Sequence, residues 1–167
     1  MHPVPRARLF ALLDEARAAQ RAIALSAPAG AGKTTLVASW LDARALAGIW
    51  FRVDQDDADP ATLFHYLREA CRPFAGTDDR LPPALTPEYR ADVPRFARRF
   101  FRDLFAVLPA GAAVVLDNFQ DAGDGAAISG VVAVALDEVP SGTSVVIVSR
   151  HDLPGAFAHA RSREQLH

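Results

Sequence analysis

The chain has 167 residues, of which half are hydrophobic and 23% charged, and its net charge is −2. This length suffices for one domain with a sizeable core, and the composition is globular rather than disordered. The small net charge excludes a global electrostatic attraction to nucleic acid or to an anionic membrane. The single cysteine, Cys71, excludes an internal disulfide. No apolar run reaches the ~20 residues of a membrane-spanning helix, and no signal-peptide pattern is visible, so we expect a cytoplasmic domain with no membrane partner.

Helical and strand patterns alternate along the chain. Helical periodicity covers 6–19, 33–46, 60–74, 92–108 and 126–138, and apolar runs typical of strands cover 22–26, 49–53, 112–116 and 143–148. In the first helix we expect an inward face made of Leu9, Leu12, Leu13 and Ala16. Gly48 is expected to end the second helix. Asp59, which is followed by Pro60, and Asp92 are expected to be the N-caps of the third and fourth helices. The alternation predicts an α/β fold with a parallel sheet.

The Pro-rich segment 76–91 is predicted to be a surface connection and not a domain boundary, because neither side of it holds a complete sheet. We therefore predict a single domain over residues 1–167.

A loop of small residues joins the first predicted strand to the second helix. It ends in Gly32-Lys33-Thr34, and a strand, small-residue loop and helix in this order are typical of a phosphate-binding P-loop, or Walker A motif. Glycines let backbone N–H groups approach phosphate oxygens, and the helix N-terminus favours negative charge. The motif often begins with Gly, and here that position is Ala27. The predicted nucleotide-binding residues are Ala27, Pro28, Ala29, Gly30, Ala31, Gly32, Lys33, Thr34 and Thr35.

Three residues of this motif have predicted roles at a bound nucleotide. Lys33, the only lysine in the chain, is expected against the β- and γ-phosphates. The hydroxyl of Thr34 is expected to ligate Mg²⁺, and that of Thr35 to touch the α-phosphate.

A second carboxylate completes the predicted magnesium site. Asp117 follows the buried strand pattern 112–116, and ligands collect at the carboxyl ends of parallel strands. We predict that Asp117 holds Mg²⁺ as a Walker B aspartate. The next residue is Asn118, whose amide can hold a water molecule but cannot take its proton, so we expect slow hydrolysis. Asp121 could replace the missing acid only if its loop folds back.

The roles of one arginine and of an arginine stripe are left open by the sequence. Arg150 follows the last predicted strand, where it could contact the γ-phosphate or simply lie on the surface. The helix 92–108 has an arginine stripe, which is either a solvated face or a contact for an acidic partner. Its members are Arg95, Arg98, Arg99 and Arg102.

The chain resembles the nucleotide-binding domain of MalT-like STAND ATPases, many of which are LuxR-type bacterial transcription regulators. The resemblance rests on the loop 26–36 with Trp40, on Trp50-Phe51 with the acidic segment 54–60, and on two later motifs. These are Leu116-Asp117-Asn118-Phe119-Gln120, and Val148-Ser149-Arg150 with Asp152-Leu153-Pro154. Asn118 departs from the acid usual in that family.

The resemblance implies an ATP/ADP switch with Mg²⁺ rather than a metabolic enzyme. It implies a three-layer P-loop NTPase sandwich with sheet order 5-1-4-3-2, in which the fifth strand would begin near Gln165-Leu166. We therefore expect the domain to be truncated at its C-terminal end and the fifth strand to be missing or incomplete. The expected partners are downstream domains of a longer chain or other copies of this chain, with DNA bound only through a domain absent here.

Other functions fit less well. A GTPase usually carries an Asn-Lys-x-Asp motif, which a chain whose only lysine is Lys33 cannot contain. A small-molecule kinase would need a lid with several arginines and an acceptor site. We find no lid, although the arginines of 95–102 leave this alternative open. A nucleotide-binding interaction module without hydrolysis stays open, and Asn118 favours it.

Overall fold

A computed structural model describes residues 6–54, 59–76, 80–123 and 127–162. The helices are α1 (Arg6–Ala19), α2 (Lys33–Ala43), α3 (Pro60–Ala70), α4 (Val93–Val107), α5 (Ala127–Glu138) and α6 (Ala158–Ser162). The strands are β1 (Ala22–Ser26), β2 (Gly48–Arg52), β3 (Ala113–Asp117) and β4 (Ser144–Ser149). Short 3₁₀ helices cover Arg72–Phe74, Pro87–Asp92, Phe119–Ala122 and Gly155–Phe157.

The four described strands form one parallel sheet in the order β1-β4-β3-β2. This is the predicted order for the first four strands and confirms the α/β fold. Parallel strands need crossover connections, and α2, α3 with α4, and α5 supply them. The predicted fifth strand near Gln165-Leu166 lies outside the described residues.

Successive side chains of each strand enter two different cores. In β3, Val114 and Leu116 pack in one core, while Val115 packs in the other. The larger core contains residues of α3, α4 and α5, and the smaller one contains residues of α1 and α2. The strands are apolar on both faces because helices cover both faces, as expected for a parallel sheet of this kind. Helix, sheet and helix are the three predicted layers.

The larger core is rich in phenylalanine from α4. Phe96, Phe100 and Phe101 are buried, and their ring centroids lie 4.9, 4.8 and 6.2 Å from that of Phe64 on α3. Each such ring contributes roughly 1.5–3 kcal/mol through burial. The opposite face of α4 carries the arginine stripe, which is exposed, so the helix is apolar toward the core and charged on its outer side.

Two predicted N-caps are confirmed. Asp59 accepts a hydrogen bond from Ala61 N at 3.0 Å at the start of α3. Asp92 accepts one from Arg95 N at 3.1 Å at the start of α4. Each cap satisfies a backbone donor that the first helical turn leaves unpaired, which fixes where the helix begins.

The predicted end of α2 is wrong. The helix stops at Ala43 rather than near residue 46, and Gly48 is the first residue of β2. The reversal is made by Ala45, whose φ is +49°. Leu46 N–H donates to Leu41 O at 2.9 Å and Ala45 N–H donates to Asp42 O at 3.0 Å. These two bonds are a Schellman motif, closed by alanine at a position that usually holds glycine.

The predicted inward face of α1 is half right. Leu13 and Ala16 are buried, but Leu9 and Leu12 are 39% and 49% exposed. The buried residues that this helix contributes to the smaller core all come from its second half. The apolar periodicity therefore runs further than the surface that α1 covers.

Cys71 is buried at the end of α3. Burial raises the pKa of its thiol to about 11, so the group is a neutral thiol near pH 7.

Among the helices of the described ranges, none has the length and apolar character to cross a bilayer.

Candidate functional site

The small-residue loop lies between β1 and α2, at the carboxyl edge of the sheet. Gly30 and Gly32 have φ values of +77° and +78°, which side chains with a Cβ rarely adopt. A Cβ at either position would meet no atom within 4 Å, so glycine is needed here for backbone conformation and not for space. The loop turns through a bond from Ala31 N–H to Pro28 O at 3.3 Å. Residues 28–32 are all exposed, as a ligand-binding loop requires.

Lys33 is the first residue of α2, and its side chain folds back across the loop. Its ammonium donates to Ala27 O, and to Pro28 O at 2.9 Å. The positive charge is thereby held over the exposed backbone of the loop and at a helix N-terminus. Both features attract an anion to the same place.

Thr34 and Asp117 are brought together although they lie far apart in sequence. The Thr34 hydroxyl lies 3.0 and 3.2 Å from the two carboxylate oxygens of Asp117. Asp117 is buried at 4% exposure, whereas Thr34 is exposed, so the pair faces the loop side of the sheet edge. Hydroxyl and carboxylate oxygens are the ligands that a hard divalent cation prefers. This donor pair fits Mg²⁺, with Thr34 and Asp117 as the residues that would hold it.

Asn118 is fixed directly beside this pair. Its φ of +57° places it in the left-handed region, which Asn tolerates better than most residues. Its backbone N–H donates to Asp117 Oδ1 at 2.9 Å. With its amide oxygen turned toward Arg52, Asn118 also accepts from Arg52 Nε at 3.0 Å and Nη2 at 3.3 Å. The opposite orientation would set the NH₂ group against guanidinium donors, so we assign this one.

Arg150 follows β4, which lies between β1 and β3 in the sheet. Its backbone N–H donates to Gln120 Oε1 at 2.9 Å, and the residue is exposed. On the other side of the same strand end, Ala27 N–H donates to Ser149 O at 3.4 Å. The carboxyl end of β4 is therefore joined both to the loop and to the 3₁₀ helix that follows β3. The predicted contact of the Arg150 side chain with a γ-phosphate stays a prediction, as does that of Thr35 with the α-phosphate.

Three other acidic positions of the chain do not belong to the Thr34–Asp117 pair. Asp121 accepts from Gln120 Nε2 at 3.3 Å, within its own 3₁₀ helix. Glu138 ends α5 and contacts Arg102 of α4 at 3.4 Å. The acidic segment 54–59 follows β2 on the far edge of the sheet, and its residues 55–58 lie outside the described residues.

Sequence reasoning missed Arg52 and Gln120 as site residues. Arg52 ends β2 and pairs in register with Asp117 of β3, so its position depends on which strands are neighbours. The one available signal for Arg52 was an Arg at the end of a strand that the strand order places next to β3. Gln120 lies three residues beyond Asp117, and its link to Arg150 depends on the pairing of β3 with β4.

Comparison with solved structures defines the class of fold. The chain matches a Walker-type ATPase of Pyrococcus abyssi with a TM-score of 0.57 and 19% identity, over 87% of this chain and 45% of that one. The fold is thus that of a Walker-type P-loop ATPase.

Curated relatives then identify the particular homologue. The chain is 28% identical over 166 residues to the HTH-type transcriptional regulator MalT of Vibrio cholerae, which is 96% of this chain. It is 28% identical to MalT of Cronobacter sakazakii and 29% identical to MalT of Serratia proteamaculans. The chain spans only 18% of the length of each of these relatives. It is homologous to MalT over nearly its own whole length, although no protein-family model matches it.

Proposed function

We propose that this chain is the nucleotide-binding domain of a regulatory NTPase that binds ATP and ADP with Mg²⁺. The observation that carries the proposal is the contact of the Thr34 hydroxyl with the Asp117 carboxylate beside the loop that Lys33 spans. Two separate segments, residues 27–34 and the end of β3, supply a cation-ligating pair, a positive charge and exposed loop backbone at one sheet edge. Nucleoside phosphates with a magnesium ion need this combination.

Different residues of the site bind different parts of the nucleotide. In the loop 27–32, residues other than Pro28, which has no backbone N–H, offer their N–H groups to phosphate oxygens. Lys33 exchanges its carbonyl partners for phosphate. Thr34 and Asp117 hold the ion, and Arg150 reaches the terminal phosphate. A bound Mg²⁺ would neutralise phosphate charge and fix the orientation of the chain of phosphates.

We further propose that exchange of ADP for ATP switches a larger, transcription-regulating protein. The homology to MalT, described as an HTH-type transcriptional regulator, supports this role. DNA would then be bound by another domain, and downstream domains or further copies of the chain would sense the nucleotide state. A cytoplasmic location follows from such a role.

Hydrolysis is proposed to be slow. The residue after Asp117 is an amide, and its oxygen accepts from Arg52. A general base needs a group that can take a proton from water, and an amide has none. The alternative is an interaction module that binds nucleotide and does not hydrolyse it at all.

Nucleotide titrations test the proposal. We expect Mg-ATP and Mg-ADP to bind the parent chain more tightly than Mg-GTP, and Lys33→Met to weaken both adenine nucleotides by about tenfold or more, the size of a lost charged hydrogen bond. Arg95→Met is the matched control, because it removes one positive charge from an exposed helix face away from the loop. Released phosphate, followed in the same samples, separates the slow ATPase from the module without turnover. Failure of a folded parent chain to bind any nucleotide would contradict the proposal.

A further inference from the structure

Arg52 and Asn118 form a contact in which the proposed function gives Arg52 no role of its own. Arg52 is the last residue of the edge strand β2, and its guanidinium donates twice to the amide oxygen of Asn118, at 3.0 and 3.3 Å. The backbone of β2 is tied to β3 at the same level, where Val53 N–H donates to Asp117 O at 2.8 Å. Two neighbouring strand ends therefore set the relative position of the guanidinium and the amide.

Asn118 is held at three points. Its side-chain oxygen is engaged by Arg52, its backbone N–H by Asp117 Oδ1, and its carbonyl by Asp121 N–H at 2.9 Å. The next residue, Phe119, is buried at 2% exposure and packs against Phe157. The amide plane cannot rotate freely without breaking the pair of bonds to Arg52.

An asparagine amide has two kinds of hydrogen-bonding group, and Arg52 takes one of them. The oxygen accepts and the NH₂ group donates. Because the oxygen faces the guanidinium, the NH₂ group is turned away from Arg52. An NH₂ group in this position can donate a hydrogen bond to an anionic oxygen, but it cannot accept a proton from water.

We propose that Arg52 is a positioning residue that fixes Asn118 with its NH₂ group toward the terminal phosphate of a bound nucleoside triphosphate. This inference rests on the proposed nucleotide binding and concerns which nucleotide that site prefers. The pair makes the site favour a triphosphate over a diphosphate, because only the triphosphate supplies the oxygen that the NH₂ group can bind. Position 118 thus senses the γ-phosphate instead of activating water.

Two substitutions separate this role from a structural one. Arg52→Met removes the guanidinium and keeps a long side chain at an exposed strand end. Asn118→Asp keeps an oxygen for Arg52 and turns the contact into an ion pair, but it removes the NH₂ donor. A merely structural contact would survive or strengthen in Asn118→Asp.

The experiment measures the dissociation constants of Mg-ADP and of the magnesium complex of the β,γ-imido analogue of ATP, whose terminal bond resists hydrolysis. We expect each variant to lower the preference for the triphosphate by about tenfold while the ADP affinity stays within about twofold. Arg95→Met is expected to change neither constant. Thermal unfolding of each variant verifies that the samples are folded.

The outcomes distinguish this inference from the proposed function. If the parent binds both nucleotides and Lys33→Met weakens them, but Arg52→Met and Asn118→Asp leave the preference unchanged, the inference is overturned and nucleotide binding stands. If only Arg52→Met lowers the preference, the NH₂ group is not the sensor and the inference is again overturned. If the folded parent binds neither nucleotide, both fail together.

Discussion

Asp14 shows how one side chain joins two helices of the smaller core. Its carboxylate accepts from Trp40 Nε1 at 2.8 Å and from Arg44 Nη2 at 2.6 Å, so α1 is tied to α2 and its C-cap residue. Trp40 itself is fully buried. The indole N–H therefore depends on Asp14 for a partner, because a buried donor without one is costly.

We predict that Asp14→Ala lowers the free energy of unfolding by about 1–2 kcal/mol, mainly through the unpaired indole N–H. Asp14→Asn keeps an acceptor for Trp40 and should lose less. Urea unfolding near neutral pH measures both variants. Equal stability of parent and Asp14→Ala would contradict the contact.

The same residue gives a pH dependence with a definite sign. The hydrogen bond with Arg44, followed by that with Trp40, lowers the pKa of Asp14 below its ordinary 3.8. A lowered pKa means that the stabilisation is complete above the ordinary value and is lost as pH falls through the lowered one. The difference in stability between parent and Asp14→Asn should therefore shrink as pH falls below 3.8. A difference that grows in acid would contradict this sign.

Residue-scale contacts were the hardest part to obtain from the sequence. The types at positions 33, 34 and 117 predicted a phosphate and magnesium site, because each chemistry needs those groups at those places. The contact of Arg52 with Asn118 was not predicted, because it depends on the register between β2 and β3. Residue identity alone does not contain that register.

At the scale of elements, the end of α2 departs from the usual chemistry of a helix stop. Ala45 has a φ of +49°, and a Cβ in that region costs about 1–2 kcal/mol. We predict that Ala45→Gly raises the free energy of unfolding by about 0.5–1 kcal/mol, the relief of strain less the added freedom of the unfolded chain. Ala38→Gly, at an exposed position inside α2, is the matched control and should destabilise by a similar amount. Denaturation midpoints give both values, and a destabilised Ala45→Gly would contradict the motif.

Gly48 has the opposite requirement, since the limit there is space. A Cβ at this position would lie 2.2 Å from Ala113 O, a backbone atom of the neighbouring strand. We predict that Gly48→Ala destabilises the domain by about 2 kcal/mol or more, because β2 must move away from β3. Gly130→Ala, on the exposed face of α5 with open space around it, should instead stabilise by about 0.5–1 kcal/mol. Thermal unfolding compares the two, and a harmless Gly48→Ala would refute the close approach.

The elements themselves followed well from the sequence, and their ends did so only where a cap is chemically explicit. Asp59 and Asp92 predicted the starts of α3 and α4, because an aspartate before a proline-containing first turn has one strong structural use. Gly48 misled, because a glycine after a helical run can be a helix stop or a close packing site. Only the tertiary structure decides between the two.

At the scale of the whole molecule, the fold brings a loop after β1, a carboxylate after β3 and the end of β4 to one edge. The alternation of elements predicted this arrangement, because parallel strands must all end on the same side. Predicting which strands are neighbours required the resemblance to MalT-like proteins, and the order β1-β4-β3-β2 agrees with it. The exposure of Leu9 and Leu12 was not predictable, because it depends on how far the smaller core extends.

The proposed nucleotide site depends on the contact between Thr34 and Asp117. The magnesium dependence of nucleotide binding tests this contact most directly. The measurement is the affinity for ATP with and without Mg²⁺, in the parent, in Thr34→Val and in Asp117→Asn. Asp121→Asn is the matched control, because that carboxylate faces Gln120. We predict that Mg²⁺ tightens ATP binding in the parent and in Asp121→Asn, and that this gain is lost in Thr34→Val and Asp117→Asn. ATP binding that is indifferent to Mg²⁺ in the parent, or a gain that persists in both site variants, would contradict it.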